Sequence, residues 1–157
     1  MTPLLDEPGL AIFECPGLIV ILMRSSPDDA AFIESGARVR EVLTRQPRIN
    51  VLILIPNFDG RARASRATQA AFATLLGDLH EHLVGTCITI TVPGLKGTML
   101  RMAVNAVLML GKLRNPIQLH GSVPATLAWL KSLPGQVPGV LDAPNLAWDL
   151  ERLLPAR

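Results

Sequence analysis

The stretch Ile49-Asn50-Val51-Leu52-Ile53-Leu54-Ile55 decides the fold. Apart from Asn50 it is an unbroken run of β-branched residues and leucine, the pattern of a strand covered on both faces in the middle of a parallel or mixed sheet. On its N-terminal side, Gly9 to Cys15 and Leu18 to Met23 read as two strands, and Pro16-Gly17 suits the centre of a tight turn between them. An antiparallel hairpin is expected there. Ser26-Pro27-Asp28-Asp29 then starts a helix, with serine as N-cap, proline in the first turn and two carboxylates at the positive end of the dipole. Phe32, Gly36, Val39 and Leu43 form its inner stripe, while Arg38, Arg40 and Arg45 load its C-terminal half.

On the C-terminal side, Pro56-Asn57-Phe58-Asp59-Gly60 ends the central strand, and Ser65 is placed to cap a second helix. In that helix Ala71, Phe72, Leu75, Leu76, Leu79 and Leu83 recur at intervals of three and four, and Gly85 is expected to stop it. Thr86 to Val92 alternates Cys87, Thr89 and Thr91 against Ile88, Ile90 and Val92, which predicts a strand with one less completely buried face. A helix from about Thr98 to Leu113, a short strand from Ile117 to His120 and a helix capped by Ser122 follow. Val123, Leu127 and Leu130 form the core face of that last helix, and Pro134 ends it. Strands alternating with helices give an α/β fold: a mixed sheet opened by a hairpin and continued by parallel strands through right-handed crossovers.

The chain has 157 residues, 49% of them apolar, enough for one substantial core. No low-complexity linker divides it, so it reads as one domain over residues 1–134 with a C-terminal extension over 135–157. In the extension, Asp142 to Leu154 forms a short helix with Leu146, Leu150, Leu153 and Leu154 as its apolar face. Because short helices depend on tertiary burial, that face is expected to meet the apolar helix from Met99 to Leu110, within one chain or between two. The opening Met-Thr-Pro-Leu-Leu-Asp-Glu lacks the basic start and apolar run of a secretory signal, and no stretch reaches the roughly 18 apolar residues of a membrane span. A cytoplasmic location is expected. Cys15 and Cys87 are then read as buried free thiols.

The net charge is +2, but it is unevenly spread: between Glu81 and Asp142 there is no acidic residue, while Lys96, Arg101, Lys112, Arg114 and Lys131 fall there. That half of the domain should be positive, suited to an acidic partner or an anionic lipid surface, although solvated bases at helix ends also account for it. Five dispersed bases without a zinc-finger or RNA-binding motif are too thin for nucleic acid.

The order of hairpin, helix, strand, helix, strand, helix, strand, helix, together with the ending Ile117-Gln118-Leu119-His120-Gly121-Ser122-Val123-Pro124-Ala125-Thr126-Leu127-Ala128-Trp129-Leu130, resembles the STAS domain. That is the fold of bacterial anti-sigma-factor antagonists and of the cytoplasmic tails of sulfate transporters. The chain also resembles the related SEC14-type lipid-binding proteins. The STAS resemblance implies a regulatory protein-interaction module and a phosphoswitch at the start of the helix after the central strand. Here that stretch reads Arg61-Ala62-Arg63-Ala64-Ser65-Arg66-Ala67-Thr68, so Ser65 is the candidate phosphosite. The family's preceding aspartate and following glycine are absent, and Arg63 and Arg66 flank the serine instead. A plain N-cap also explains Ser65.

Two further stretches carry candidate residues. Gly94-Leu95-Lys96-Gly97-Thr98 joins a strand to a helix, where Lys96, Gly97 and Thr98 could hold an anion, although the order departs from a phosphate loop and ordinary turn chemistry also accounts for it. Beyond it, Met99, Met102, Val107 and Met109 belong to a helix apolar on nearly all sides, which predicts a partner surface, a self-association face or an apolar ligand pocket. His80 and His82 point to different helix faces and His120 is alone, so no metal site is expected. No nucleophile elbow, dinucleotide fingerprint or carboxylate pair appears. The expectation is a non-catalytic module that needs no cofactor and binds a protein partner, itself, or both. The alternative is a SEC14-like carrier or sensor of an apolar small molecule held between the sheet and the second and third helices.

Overall fold

A computed structural model describes residues 1–25, 29–57, 66–110, 115–136 and 143–155. Six strands form one sheet in sequential order: β1 (Thr2–Asp6), β2 (Leu10–Cys15), β3 (Leu18–Met23), β4 (Ile49–Ile55), β5 (Leu83–Ile90) and β6 (Ile117–His120). β1 pairs antiparallel with β2 and β2 with β3, and β3 to β6 run parallel. The connections carry α1 (Asp29–Arg45), α2 (Arg66–Leu79) and α3 (Gly94–Leu110), and the chain ends in α4 (Val123–Ser132) and α5 (Leu146–Arg152). The expected α/β architecture is present, with its hairpin and its C-terminal helix. Among the described residues no helix is long and apolar enough to cross a membrane.

The hairpin turns where Pro16 presets one central dihedral and Gly17 supplies the other at φ 64°, a region that costs other residues a clash. Gln46, just past α1, reaches back to this turn: its Oε1 accepts from Gly17 N and its Nε2 donates to Glu14 Oε1. Strand alternation divides the core in two. On one face Leu10, Ile12, Ile19, Ile49 and Val51 pack under Val39 and Val42 of α1 and Leu75 and Leu79 of α2. On the other, Leu18, Val20, Leu22, Leu52, Leu54 and Cys87 pack under Val123, Leu127 and Leu130 of α4. Ser122 caps α4 by accepting from Ala125 N, as its position predicts. Both cysteines are buried and free, and burial pushes both thiols up. Iodoacetamide at neutral pH should therefore label neither in the native protein and both in denaturant, by mass spectrometry.

Residues 2–6, to which the sequence pattern assigns no element, form the edge strand β1, whose Leu5 is buried. Three expectations are corrected. Helix α2 ends at Leu79, and Leu83 opens β5 instead of extending the helix. Gly85 lies inside that strand, where a side chain would overlap Leu133, so it admits α4 and is no helix stop. Cys87 and Thr89 lie on the covered face of β5, both fully buried. The reason is Thr126 of α4: its hydroxyl donates to Ser122 O at 3.0 Å and so accepts from Thr89 Oγ1 at 2.6 Å and from Cys87 Sγ at 3.5 Å. Finally, among the described residues α5 packs within the chain on α4, where the sequence pattern places it against α3. Leu146 and Leu150 are buried in the same cluster as Leu18 and Leu130, with Leu153 and Leu154 against it. The extension is thus part of the core.

The caps Ser26 and Pro27, the loop Phe58–Gly60, Ser65, Lys112, Arg114 and Asp142 lie outside the described residues, as do the side chains of Ala71, Phe72 and Leu76.

Candidate functional site

Helix α3 leaves β5 through Thr91, Val92 and Pro93. Gly94 takes φ 68° as the chain turns into the helix. Gly97 lies so close to the connection from β5 that a Cβ would overlap Val92 O. One turn on, Arg101 ties helix to strand: Nη1 donates to Ile90 O at 3.1 Å and Nη2 to Thr98 Oγ1 at 3.2 Å, while Thr98 Oγ1 donates to Gly94 O at 3.3 Å. Of the residues considered for an anion, Gly97 and Thr98 are therefore engaged in holding the helix start, and Lys96 projects into solvent.

The opposite side of α3 is apolar and uncovered. Leu95, Met99 and Met102, spaced i, i+4, i+7, are 75%, 62% and 69% exposed. That spacing makes a single stripe along about two helical turns. Leu100 and Val104 are half-buried, so the helix has an inner face as well. Val107 and Met109 belong to α3, but their side chains lie outside the described residues. The stripe sits in the half of the chain that lacks acids. On the α1 side, by contrast, Arg38 pairs with Glu34 and Glu41, Arg40 with Asp78, and Arg45 with Glu14. Neither Lys96 nor Arg101 pairs with an acid among the described residues.

Past the C-terminal ends of β4, β5 and β6 lies an open crevice of about 650 Å³ bordered by Asn57, Pro93, Arg101 and Gly121. Another, of about 550 Å³, runs beside Ser122, Pro124, Glu151 and Arg152. The burial of Cys87 and Thr89 removes the feature that pointed to a ligand against that strand face.

The histidines serve the scaffold. His80 Nδ1 bonds to Asn115 Oδ1 at 3.1 Å and His82 Nδ1 to Pro47 O at 2.9 Å. Among the described residues no three potential metal ligands come together. His120 rests beside Trp129, ring centroids 6.1 Å apart, and its buried Nε2 has no hydrogen-bond partner. Desolvation pushes its imidazole below the ordinary 6.5, so the fold prefers it neutral. The unfolded chain takes up the proton first as pH falls through 6.5, so His120 costs stability on acidification below that point. Urea midpoints should fall on acidification less steeply in His120→Gln than in wild type; parallel curves would contradict this.

Sequence reasoning missed Arg101 as an anchor and the amide pair of buried Asn50 with half-buried Gln136, whose side chains exchange two hydrogen bonds of 2.9 Å. Asn50 was visible only as the polar interruption in an apolar strand. Compared with known proteins, the chain matches no protein-family model, no curated protein and no solved structure.

Proposed function

We propose that the chain is a non-catalytic regulatory module that docks a protein partner through the exposed stripe of α3 and acts in the cytoplasm. The observation that supports this reading most is the stripe itself. Leu95, Met99 and Met102 expose three large apolar side chains along one helical face, whereas α1 and α5 each expose a single one, Ile33 and Trp148. Methionine suits such a face because its unbranched side chain adapts to a partner's shape. The surrounding positive charge favours a partner with acidic residues around an apolar contact. The resemblance to STAS domains supports a regulatory role and makes Ser65 the residue whose phosphorylation would be examined first.

The test is affinity capture of the partner by wild type and by Met99→Asp and Met102→Asp. Both side chains are exposed, so the variants should keep the wild-type circular dichroism and melting temperature. Partner recovery should fall by about tenfold or more, the scale expected when a central apolar anchor is lost. Undiminished recovery by both folded variants would remove α3 as the docking face.

A further inference from the structure

An open α/β sheet forms a crevice where neighbouring connections leave for opposite faces. Here that divergence falls between β5 and β6. A right-handed crossover keeps α3 on the face of α1 and α2, whereas α4 turns to the other face and packs over Leu54 and Cys87. The chain leaving β5 at Val92–Gly94 therefore parts from the chain leaving β6 at Gly121–Ser122, and the 650 Å³ crevice opens between them. The second crevice continues it, sharing Thr91, Leu154 and Pro155.

We infer that this crevice is a binding site for a small organic anion, a carboxylate or phosphate carried on a compact apolar body. Among the described residues, Arg101 is the one charged residue bordering the larger lobe. Its guanidinium is fixed before any ligand arrives, held by Ile90 O and Thr98 Oγ1, and among the described residues these two bonds leave the rest of its five N–H donors unspent. No described carboxylate neutralises it. Thr91 and Asn57 add polar groups, while Pro56, Val92, Pro93, Leu154 and Pro155 supply apolar walls. The volume is within the ordinary range for small-molecule sites. The second lobe carries Glu151 beside Arg152, and Arg152 stacks on Trp148 at 4.5 Å, so the anion's seat is at Arg101. Because α5 and the residues after it form one wall, occupancy would couple to the packing of the C-terminal helix. The site is separate from the α3 stripe and does not depend on the docking reading.

The test uses the full chain with three probes: benzoate, inorganic phosphate and benzyl alcohol, followed by calorimetry and by amide chemical shifts. Benzoate should bind more tightly than either of the others and shift the amides of Gly94, Arg101 and Gly121. Arg101→Met should weaken benzoate by about tenfold or more, as loss of a charge-assisted contact does. Since Arg101 also anchors α3, Gly121→Leu is the second variant. An added Cβ at Gly121 meets the Arg101 guanidinium at an ordinary contact distance of 3.8 Å, so a side chain can start there, and a leucine would reach into the crevice; circular dichroism and melting temperature equal to wild type check that the variant is folded. It should abolish binding. No benzoate binding, equal binding of benzyl alcohol or of bare phosphate, or undiminished binding in Gly121→Leu would overturn the assignment.

Discussion

Leu150→Ala should lower the free energy of unfolding by about 2–5 kcal/mol, read from urea denaturation. Leu150 is fully buried, although it belongs to a helix of only 7 residues near the end of the chain. Alone, such a helix would not persist in water. It holds because Leu146 and Leu150 complete the face formed by Leu18, Leu130 and Leu127, and the removed side chain would leave a cavity lined by β2, β3 and α4. A loss below about 1 kcal/mol, typical of a surface site, would mean that α5 only rests on the domain. Trp148→Ala, on the exposed side of the same helix, is the contrast and should cost far less.

Gly97→Ala should destabilise by about 3 kcal/mol, whereas Gly77→Ala should stabilise by about 0.5–1 kcal/mol. Both glycines lie inside helices, so propensity alone would predict the same small gain for each. They differ in what a Cβ would meet. At Gly77 there is nothing within 4 Å; at Gly97 the methyl would overlap the carbonyl of Val92, which is backbone and cannot swing aside. The start of α3 would have to shift away from the connection that leads into it, straining the bond from the Arg101 guanidinium to Ile90 O. Thermal melts of the two variants check the opposite signs. Equal shifts would show that α3 is not held where Gly97 places it.

Much of this fold is legible in the sequence. The central strand runs from Ile49 to Ile55 as its composition predicts, and Pro16-Gly17 closes the hairpin. Ser122 caps the helix that carries Val123, Leu127 and Leu130. Each of these signals is local. What stayed hidden depends on partners far along the chain. Strand β1 carries Pro3 and is mostly exposed, so it has neither an alternating pattern nor a strong strand composition; its pairing with β2 defines it. Leu83 continues the spacing of Leu75 and Leu79, yet the turn at His80 to His82 places it in a strand. Thr89 reads as a half-exposed position until Thr126, 37 residues later, supplies the hydroxyl that lets it be buried. Asn50 likewise finds its partner in Gln136, 86 residues on.

The candidate site divides in the same way. The methionine-rich character of α3 is written in its composition, and Met99 and Met102 are exposed in the structure. The crevice is not legible, because it arises from the divergence of α3 and α4 and from the return of Leu154 and Pro155 to the end of the sheet.

Amide hydrogen exchange on the protein alone and bound to the partner that wild type captures tests the docking role of α3 most directly. Exchange should slow from Leu95 to Met102 on binding and stay unchanged along α1. Slowing confined to α1 or to the β1 edge, with α3 unaffected, would contradict it.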